Sequence, residues 1–194
     1  MSNRNAKKEI IDTTIRMIQE KGYNDISTNH IAKEAGVSIG TLYYHFENGK
    51  PDIMKEIVKL GYAEFLDDIN LKSLTLNTLP KFLKSFLKRY LEQHQQNKSL
   101  VIATETAFVS NRKLFQDYEY IQSELKLVPL ISNLLKQLGY PEKENLKEKS
   151  KFLLYVIDSI IHRHVIYGEY SIKDEILVHN LAEMIFKFIK FNGN

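Results

Sequence analysis

Apolar residues recur at every third or fourth position along almost the whole chain, the spacing that gathers them on one side of an α-helix. No stretch alternates polar and apolar residues between hairpin turns, as a half-buried strand would. The sequence therefore predicts an all-α fold. The expected helices span about residues 5–21, 28–35, 39–45, 51–69, 80–91, 98–109, 113–138, 142–167 and 172–191, with Pro129 kinking or interrupting the seventh.

Residues 27–46 have the spacing of a helix-turn-helix. Ser27 with Thr28 provides an N-cap for one short helix, and Ser38 caps the next. Two short helices can cross steeply only where the contact residue is small, as Ala32 is. The sharp turn between them needs a residue that tolerates positive φ, and Gly36 supplies it.

The second of these helices carries hydroxyl and aromatic groups that should point outward. Ser38, Thr41, Tyr43 and Tyr44 could donate to phosphates or base edges, and the small Gly40 allows close approach to DNA. Two further candidate residues lie outside this helix. Thr28 could also donate to a phosphate, and Lys50 adds a positive charge where a helix N-terminus already favours phosphate.

Residues 9–57, with the runs Ile31-Ala32-Lys33-Glu34-Ala35-Gly36-Val37-Ser38 and Gly40-Thr41-Leu42-Tyr43-Tyr44-His45-Phe46, resemble the tetracycline-repressor (TetR/AcrR) family of bacterial and archaeal regulators. The resemblance implies DNA contacts from Thr28, Ser38, Gly40, Thr41, Tyr43, Tyr44 and His45. Ile39, often polar in that family, would touch a thymine methyl or only the groove wall. Residues 48–52 are one residue longer than the usual family pattern, which weakens the carry-over to Lys50.

Alternatives to these roles follow from the same residues. The segment 27–46 could be an ordinary helical hairpin with a tyrosine-rich surface. Tyr43 could be partly structural, and His45 could cap a helix end instead of meeting a phosphate.

We predict a helix-turn-helix DNA-binding domain of three helices over residues 1–50 and a helical effector-binding and dimerisation domain over residues 51–194. Aromatic residues of the second domain could line an effector pocket, although such a set more often forms ordinary core. Asp158 and His162 lie four apart and share a helix face, which suits either a satisfied polar pair or a pocket wall. The candidate pocket residues are Phe86, Tyr90, Glu105, Phe108, Tyr118, Tyr155, Asp158 and His162.

The last two helices, about 142–167 and 172–191, are apolar on more than one side. A helix of that kind needs burial against two neighbours, of which one is its own core. The second neighbour is expected to be the same surface of another copy, which would give an isologous four-helix interface. The family resemblance implies the same homodimer, reading a pseudo-palindromic operator.

Composition excludes several other classes of protein. The chain has no Cys, so disulfide scaffolds, thiolate metal sites and cysteine nucleophiles are absent. His162 and His164 lie two apart, about 200° around a helix axis, and cannot easily chelate one ion. We therefore expect no metal, no cofactor and no catalysis. With no apolar run long enough to cross a bilayer and no secretory leader, we expect a cytoplasmic protein that does not bind membranes.

Net charge is weak evidence for a nucleic-acid partner, because the whole chain carries only +3 and residues 1–60 hold nine Lys and Arg against eight acids. The pattern nevertheless predicts a sequence-specific regulator of transcription. We expect a repressor that a hydrophobic or amphipathic small molecule releases from double-stranded operator DNA. The alternatives are a ligand-independent regulator or nucleoid factor controlled by a protein partner, a helical enzyme, and a pure protein-interaction module.

Overall fold

A computed structural model describes residues 3–67, 69–111, 118–141, 145–168 and 172–191 of the chain. These residues form nine α-helices and no strand, which confirms the predicted all-α fold. The helices are α1 (Asn3–Lys21), α2 (Thr28–Glu34), α3 (Ile39–His45), α4 (Lys50–Asp67), α5 (Leu79–Gln96), α6 (Lys98–Ser110), α7 (Tyr118–Gln137), α8 (Leu146–Ile166) and α9 (Asp174–Phe191).

The helix bounds lie close to those expected from the sequence, with two differences. Helix α4 begins at Lys50, so Pro51 is its second residue and not its first. Helix α7 continues through Pro129, so the predicted interruption is wrong; the proline lies on the exposed side of the helix, where a missing backbone donor does not disturb the core. The predicted helix starts at residues 113 and 142 lie outside the described residues.

The first compact unit comprises the described parts of residues 1–68 and 99–123. Helices α1 to α4 enclose a core whose innermost side chains are fully buried, and two alanines of α6 belong to the same cluster. The Oγ1 atom of the fully buried Thr14 donates to the Ile10 carbonyl at 2.7 Å, so this hydroxyl is satisfied within the helix. The central residues are Ile10, Ile18, Ile31, Leu42, Ile53, Met54, Ala103 and Ala107.

The second compact unit comprises the described parts of residues 69–98 and 124–194. Helix α5 packs against α8 and α9 there, and its buried stripe of Leu83, Leu87 and Leu91 follows the helical repeat. The predicted boundary at residue 50 divides the chain by function, and packing alone does not test such a division. The packing shows that residues of α4 belong to the same core as residues of α1, α2 and α3.

Candidate nucleic-acid interface

Local capping and one glycine shape the turn between α2 and α3. Ser27 Oγ accepts a hydrogen bond from the His30 amide at 3.2 Å, and Ser38 Oγ accepts one from the Thr41 amide at 3.0 Å. Between the two helices Gly36 has φ +66°, a backbone conformation that disfavours other residues. The Val37 amide then donates to the Ala32 carbonyl at 3.0 Å, which closes the turn. Both caps and the glycine act as the sequence predicted.

Helix α3 has one buried side and one exposed side. Leu42 is fully buried in the core of the first unit, and Phe46 follows directly after the helix on the same side. The opposite side leaves large side chains in solvent: Ile39 is 40% exposed, Tyr43 46% and Tyr44 73%. Because exposing apolar ring and alkyl surface is unfavourable without a partner, this side has the character of a contact surface. We call residues 38–45 on this side the α3 face.

Thr28, Tyr43 and Gly49 meet at one edge of the α3 face. The hydroxyls of Thr28 and Tyr43 lie 3.2 Å apart and form a hydrogen bond. Gly49 has φ +68°, and a Cβ built there would lie 2.8 Å from Thr28 Cγ2 and 3.5 Å from Tyr43 Cε1. The turn before α4 thus presses against both predicted DNA-contacting residues.

The ammonium of Lys50 is partly buried and hydrogen-bonded within the protein, which the sequence did not suggest. Its ammonium donates to the carbonyls of Tyr23 at 2.8 Å and Ile26 at 2.7 Å, and it lies 4.2 Å from the centroid of the Tyr23 ring. Burial lowers the pKa of Lys50, and the charge of Asp25 opposes that shift. Since an ammonium has three donors, one N–H is left for a phosphate.

Two other predicted contacts are partly engaged within α3. Ser38 Oγ and Thr41 Oγ1 lie 2.8 Å apart, so each can still donate or accept toward a second partner. His45 stacks edge-on against Tyr44, with ring centroids 5.1 Å apart, and its Nε2 is buried without a hydrogen-bond partner among the described residues. A donor for DNA from this ring would therefore have to come from Nδ1.

The geometry agrees with a family match over the same region. Residues 10–57 match the family described as bacterial regulatory proteins, tetR family, and this span covers most of α1, the helix-turn-helix and the first turns of α4. Over this segment the chain is similar to the TetR family. The resemblance predicted from the helix-turn-helix residues is confirmed, and with it the fold of an N-terminal helix-turn-helix followed by further helices.

Two relatives of the chain are named as regulators. The fatty acid metabolism regulator protein of Bacillus subtilis is 28% identical over 178 residues, which cover 92% of this chain and 76% of that protein. The Staphylococcus aureus protein named as a negative transcriptional regulator of the biofilm operon icaADBC is 31% identical over 99 residues, or 46% of this chain and 52% of its own length. These names agree with the prediction that the chain is a regulator of transcription.

The fold of the chain is similar to that of solved structures. One of them is the transcriptional regulator FadR from Bacillus subtilis in complex with stearoyl-CoA, with a TM-score of 0.66 and 20% identity. The similarity covers 94% of this chain and 96% of that one. In the described part of this chain, no helix combines the length and the apolar character needed to cross a membrane.

The structure brings together only some of the predicted effector residues. Phe86 and Tyr90 stack along α5 with ring centroids 6.1 Å apart, and the Tyr90 hydroxyl donates to Asp158 on α8, close to His162. Glu105 and Phe108 lie on α6 in the first unit, where Phe108 packs against the core. Tyr155 is 63% exposed, and the side chain of Tyr118 lies outside the described residues.

Sequence reasoning missed His94, which joins this group. Its ring lies 4.0 Å from the Tyr90 ring and 5.1 Å from the His162 ring, measured between centroids. His94 stands in the polar run 92–97 that suggested a fading helix, whereas α5 continues to Gln96. The available signal was its spacing, because Tyr90 and His94 are four apart, as Asp158 and His162 are.

Proposed function

We propose that this protein represses transcription as a homodimer bound to a palindromic operator and leaves the operator when a hydrophobic or amphipathic molecule binds. The observation that carries the proposal is the α3 face: an exposed row of polar and aromatic side chains on a helix that Leu42 anchors in the core. Because Leu42 keeps α3 packed against the core, the exposed side of α3 can enter a major groove without loss of these core contacts. Since its target is DNA, the protein would act in the cytoplasm.

The contacts with DNA divide into two kinds. Tyr44 and Thr28 would donate to phosphates, and the remaining N–H of Lys50 would do the same. Ile39, Gly40 and Thr41 lie at the start of α3, the part of a recognition helix that reaches base edges. The full proposed set is Thr28, Ser38, Ile39, Gly40, Thr41, Tyr43, Tyr44, His45 and Lys50.

Support for the homodimer comes from apolar surface that the second unit leaves uncovered. On α8, Leu153 and Ile161 are buried while Phe152 remains 52% exposed. On α9, Leu177 and Leu181 are buried while Ile176 and Met184 are nearly half exposed. Large apolar side chains left exposed on two helices of one unit are typical of an interface between identical subunits. A symmetric dimer would carry two α3 faces to successive major grooves.

Relatives and the second unit both favour an amphipathic effector. One relative regulates fatty acid metabolism by its name, and the similar FadR structure holds stearoyl-CoA. In this chain a cleft of about 460 Å³ between α5, α8 and the start of α9 is lined by Lys98 and Lys173 together with Val165 and Ile172. The carboxylate of Asp174 also lines this cleft, where it is hydrogen-bonded to Gln95 and His164. Cationic and apolar groups in one cleft suit an anionic head and an alkyl chain. Such a ligand would act by favouring a form of the dimer that does not fit its operator.

The first experiment is a selection of bound duplexes from a random DNA pool, followed by titration of the selected site. A palindromic consensus, with affinity that falls steeply as salt rises, is expected of a dimeric regulator. Recovery of no preferred sequence would instead favour the nucleoid or protein-interaction alternatives. A long-chain acyl thioester should then lower the affinity for the selected operator, and unchanged affinity would favour a regulator controlled by a protein partner.

Matched variants test the α3 face itself. Tyr44→Phe removes only the hydroxyl and should weaken operator binding about tenfold or more, because each subunit loses a hydrogen bond to a charged phosphate. Tyr167→Phe is the matched control, since it removes the hydroxyl of a side chain that is 60% exposed but lies at the end of α8. Equal affinity of the Tyr44→Phe and wild-type proteins would contradict the proposed role of Tyr44.

A further inference from the structure

His94, Asp158 and His162 form a compact group of nitrogen and oxygen ligands in the second unit. One ligand atom from each of the three lies within 4.8 Å of the others. His94 is near the end of α5, and the other two are one helical turn apart on α8. His162 Nε2 lies 3.9 Å from Asp158 Oδ1. All three side chains are half-buried, so the group is shielded from solvent but open to an entering ion.

Tyr90 orients two members of this group. Its backbone carbonyl accepts a hydrogen bond from His94 Nδ1 at 2.8 Å, and its hydroxyl donates to Asp158 Oδ1. Because Nδ1 carries the proton for the carbonyl, Nε2 of His94 is the nitrogen with a lone pair for a cation. Imidazole ligands of metal ions are typically held in this way by a backbone carbonyl, and carboxylate ligands by a second hydrogen bond. Tyr90 is itself buried, which fixes both contacts.

Electrostatics favour the neutral form of His94 that a metal ion needs. Two imidazoles 5.1 Å apart between centroids repel each other when both are protonated. A divalent cation between them would replace that repulsion with attraction and would also neutralise Asp158.

We propose that His94, Asp158 and His162 bind a divalent first-row transition metal ion of the Zn²⁺ class. Two imidazoles and one carboxylate, without thiolate, suit such an ion better than Ca²⁺, Mg²⁺ or Cu⁺. In a tetrahedral zinc site, neighbouring ligand atoms lie about 3.4 Å apart, so the present spacing needs an inward movement of about an ångström. Three protein ligands leave a fourth position for water or another small ligand. The site goes beyond the proposed function, because it would exist whether or not the chain binds an operator.

The test measures metal binding to the full chain after treatment with a chelator. Titration with Zn²⁺ should show one ion per chain by calorimetry, and Co²⁺ should develop the visible absorption of a tetrahedral complex. His94→Ala and Asp158→Asn should each abolish the Co²⁺ absorption and lower Zn²⁺ affinity by more than about 100-fold. Changes to residues that only orient a metal ligand typically cost about 10-fold to 100-fold, and loss of a ligand itself should cost more. Asp158→Asn retains the side-chain shape and an oxygen that can accept from Tyr90, so it should still fold.

Two controls separate a built site from incidental binding. His179→Ala removes an exposed imidazole on α9 and should leave both titrations unchanged. Tyr90→Phe keeps all three ligands but removes the hydroxyl that orients Asp158, and should weaken Zn²⁺ binding about 10-fold to 100-fold. Circular dichroism of the chelated proteins checks that each variant is folded. The proposal is overturned if folded His94→Ala and Asp158→Asn proteins bind Zn²⁺ as the wild type does, or if the wild type binds none.

Discussion

Gly49→Ala is expected to destabilise the first unit and to disturb its DNA-contacting surface at the same time. Two costs add at this position. The left-handed backbone, with φ +68°, costs an L-residue about 1–2 kcal/mol, of which about 0.4–1 kcal/mol is returned because alanine restricts the unfolded chain. The new Cβ would also lie 2.8 Å from Thr28 Cγ2, and relieving such an overpacked contact typically costs about 1–3 kcal/mol. The expected total is about 2–4 kcal/mol.

Gly36→Ala is the matched control for backbone strain. Gly36 has φ +66°, almost the same as Gly49, but a Cβ built there meets nothing within 4 Å. This variant should lose only about 1 kcal/mol. The difference between the two variants therefore isolates the steric contact with Thr28. Because that contact moves Thr28 relative to Tyr43, operator affinity should fall further in Gly49→Ala than in Gly36→Ala.

Amide hydrogen exchange of α1 to α4 is the suitable assay, since the chain has two compact units and exchange reports the opening of the first by itself. The slowest amides beside Ile10, Ile31 and Leu42 give the free energy of opening for each variant. If Gly49→Ala costs no more than Gly36→Ala, the close approach of the turn before α4 to Thr28 does not constrain the residue at position 49.

Three smaller changes test other contacts. Lys50→Met should destabilise the first unit by about 1.5–3 kcal/mol, because the hydrogen bonds to Tyr23 and Ile26 are lost. It should also reduce the slope of log operator affinity against log salt concentration by about 0.9 per subunit. An unchanged slope would show that Lys50 does not contact DNA. Ser38→Ala should cost about 1 kcal/mol in the same exchange assay, through loss of the α3 cap. Asp174→Asn should lower the melting temperature most at pH values above the ordinary Asp pKa, and the difference from the wild type should shrink as the pH falls below it. Hydrogen bonds from Gln95 and His164 lower the pKa of Asp174, so its carboxylate stabilises the fold fully above the ordinary Asp pKa, and that contribution is lost as the pH falls through the lower folded value. A difference that does not change with pH would contradict this.

Local signals in the sequence determined the helix-turn-helix in detail. Ser27, Gly36 and Ser38 act within a few residues of their own positions, as caps and as a turn of positive φ, so their roles can be predicted without the rest of the fold. The same holds for the bounds of α3 and for the burial of Leu42, which follow from capping and helical repeat.

Contacts between residues distant in sequence depended on the tertiary structure. The sequence marked Lys50 as a charge near a helix start, but only the packing of α4 places its ammonium against the carbonyls of Tyr23 and Ile26. It likewise marked Asp158 and His162 as neighbours on one helix face, while the crossing of α5 and α8 adds His94 and Tyr90. Helical periodicity states which side of a helix is buried, but not which side chain of another helix it will meet.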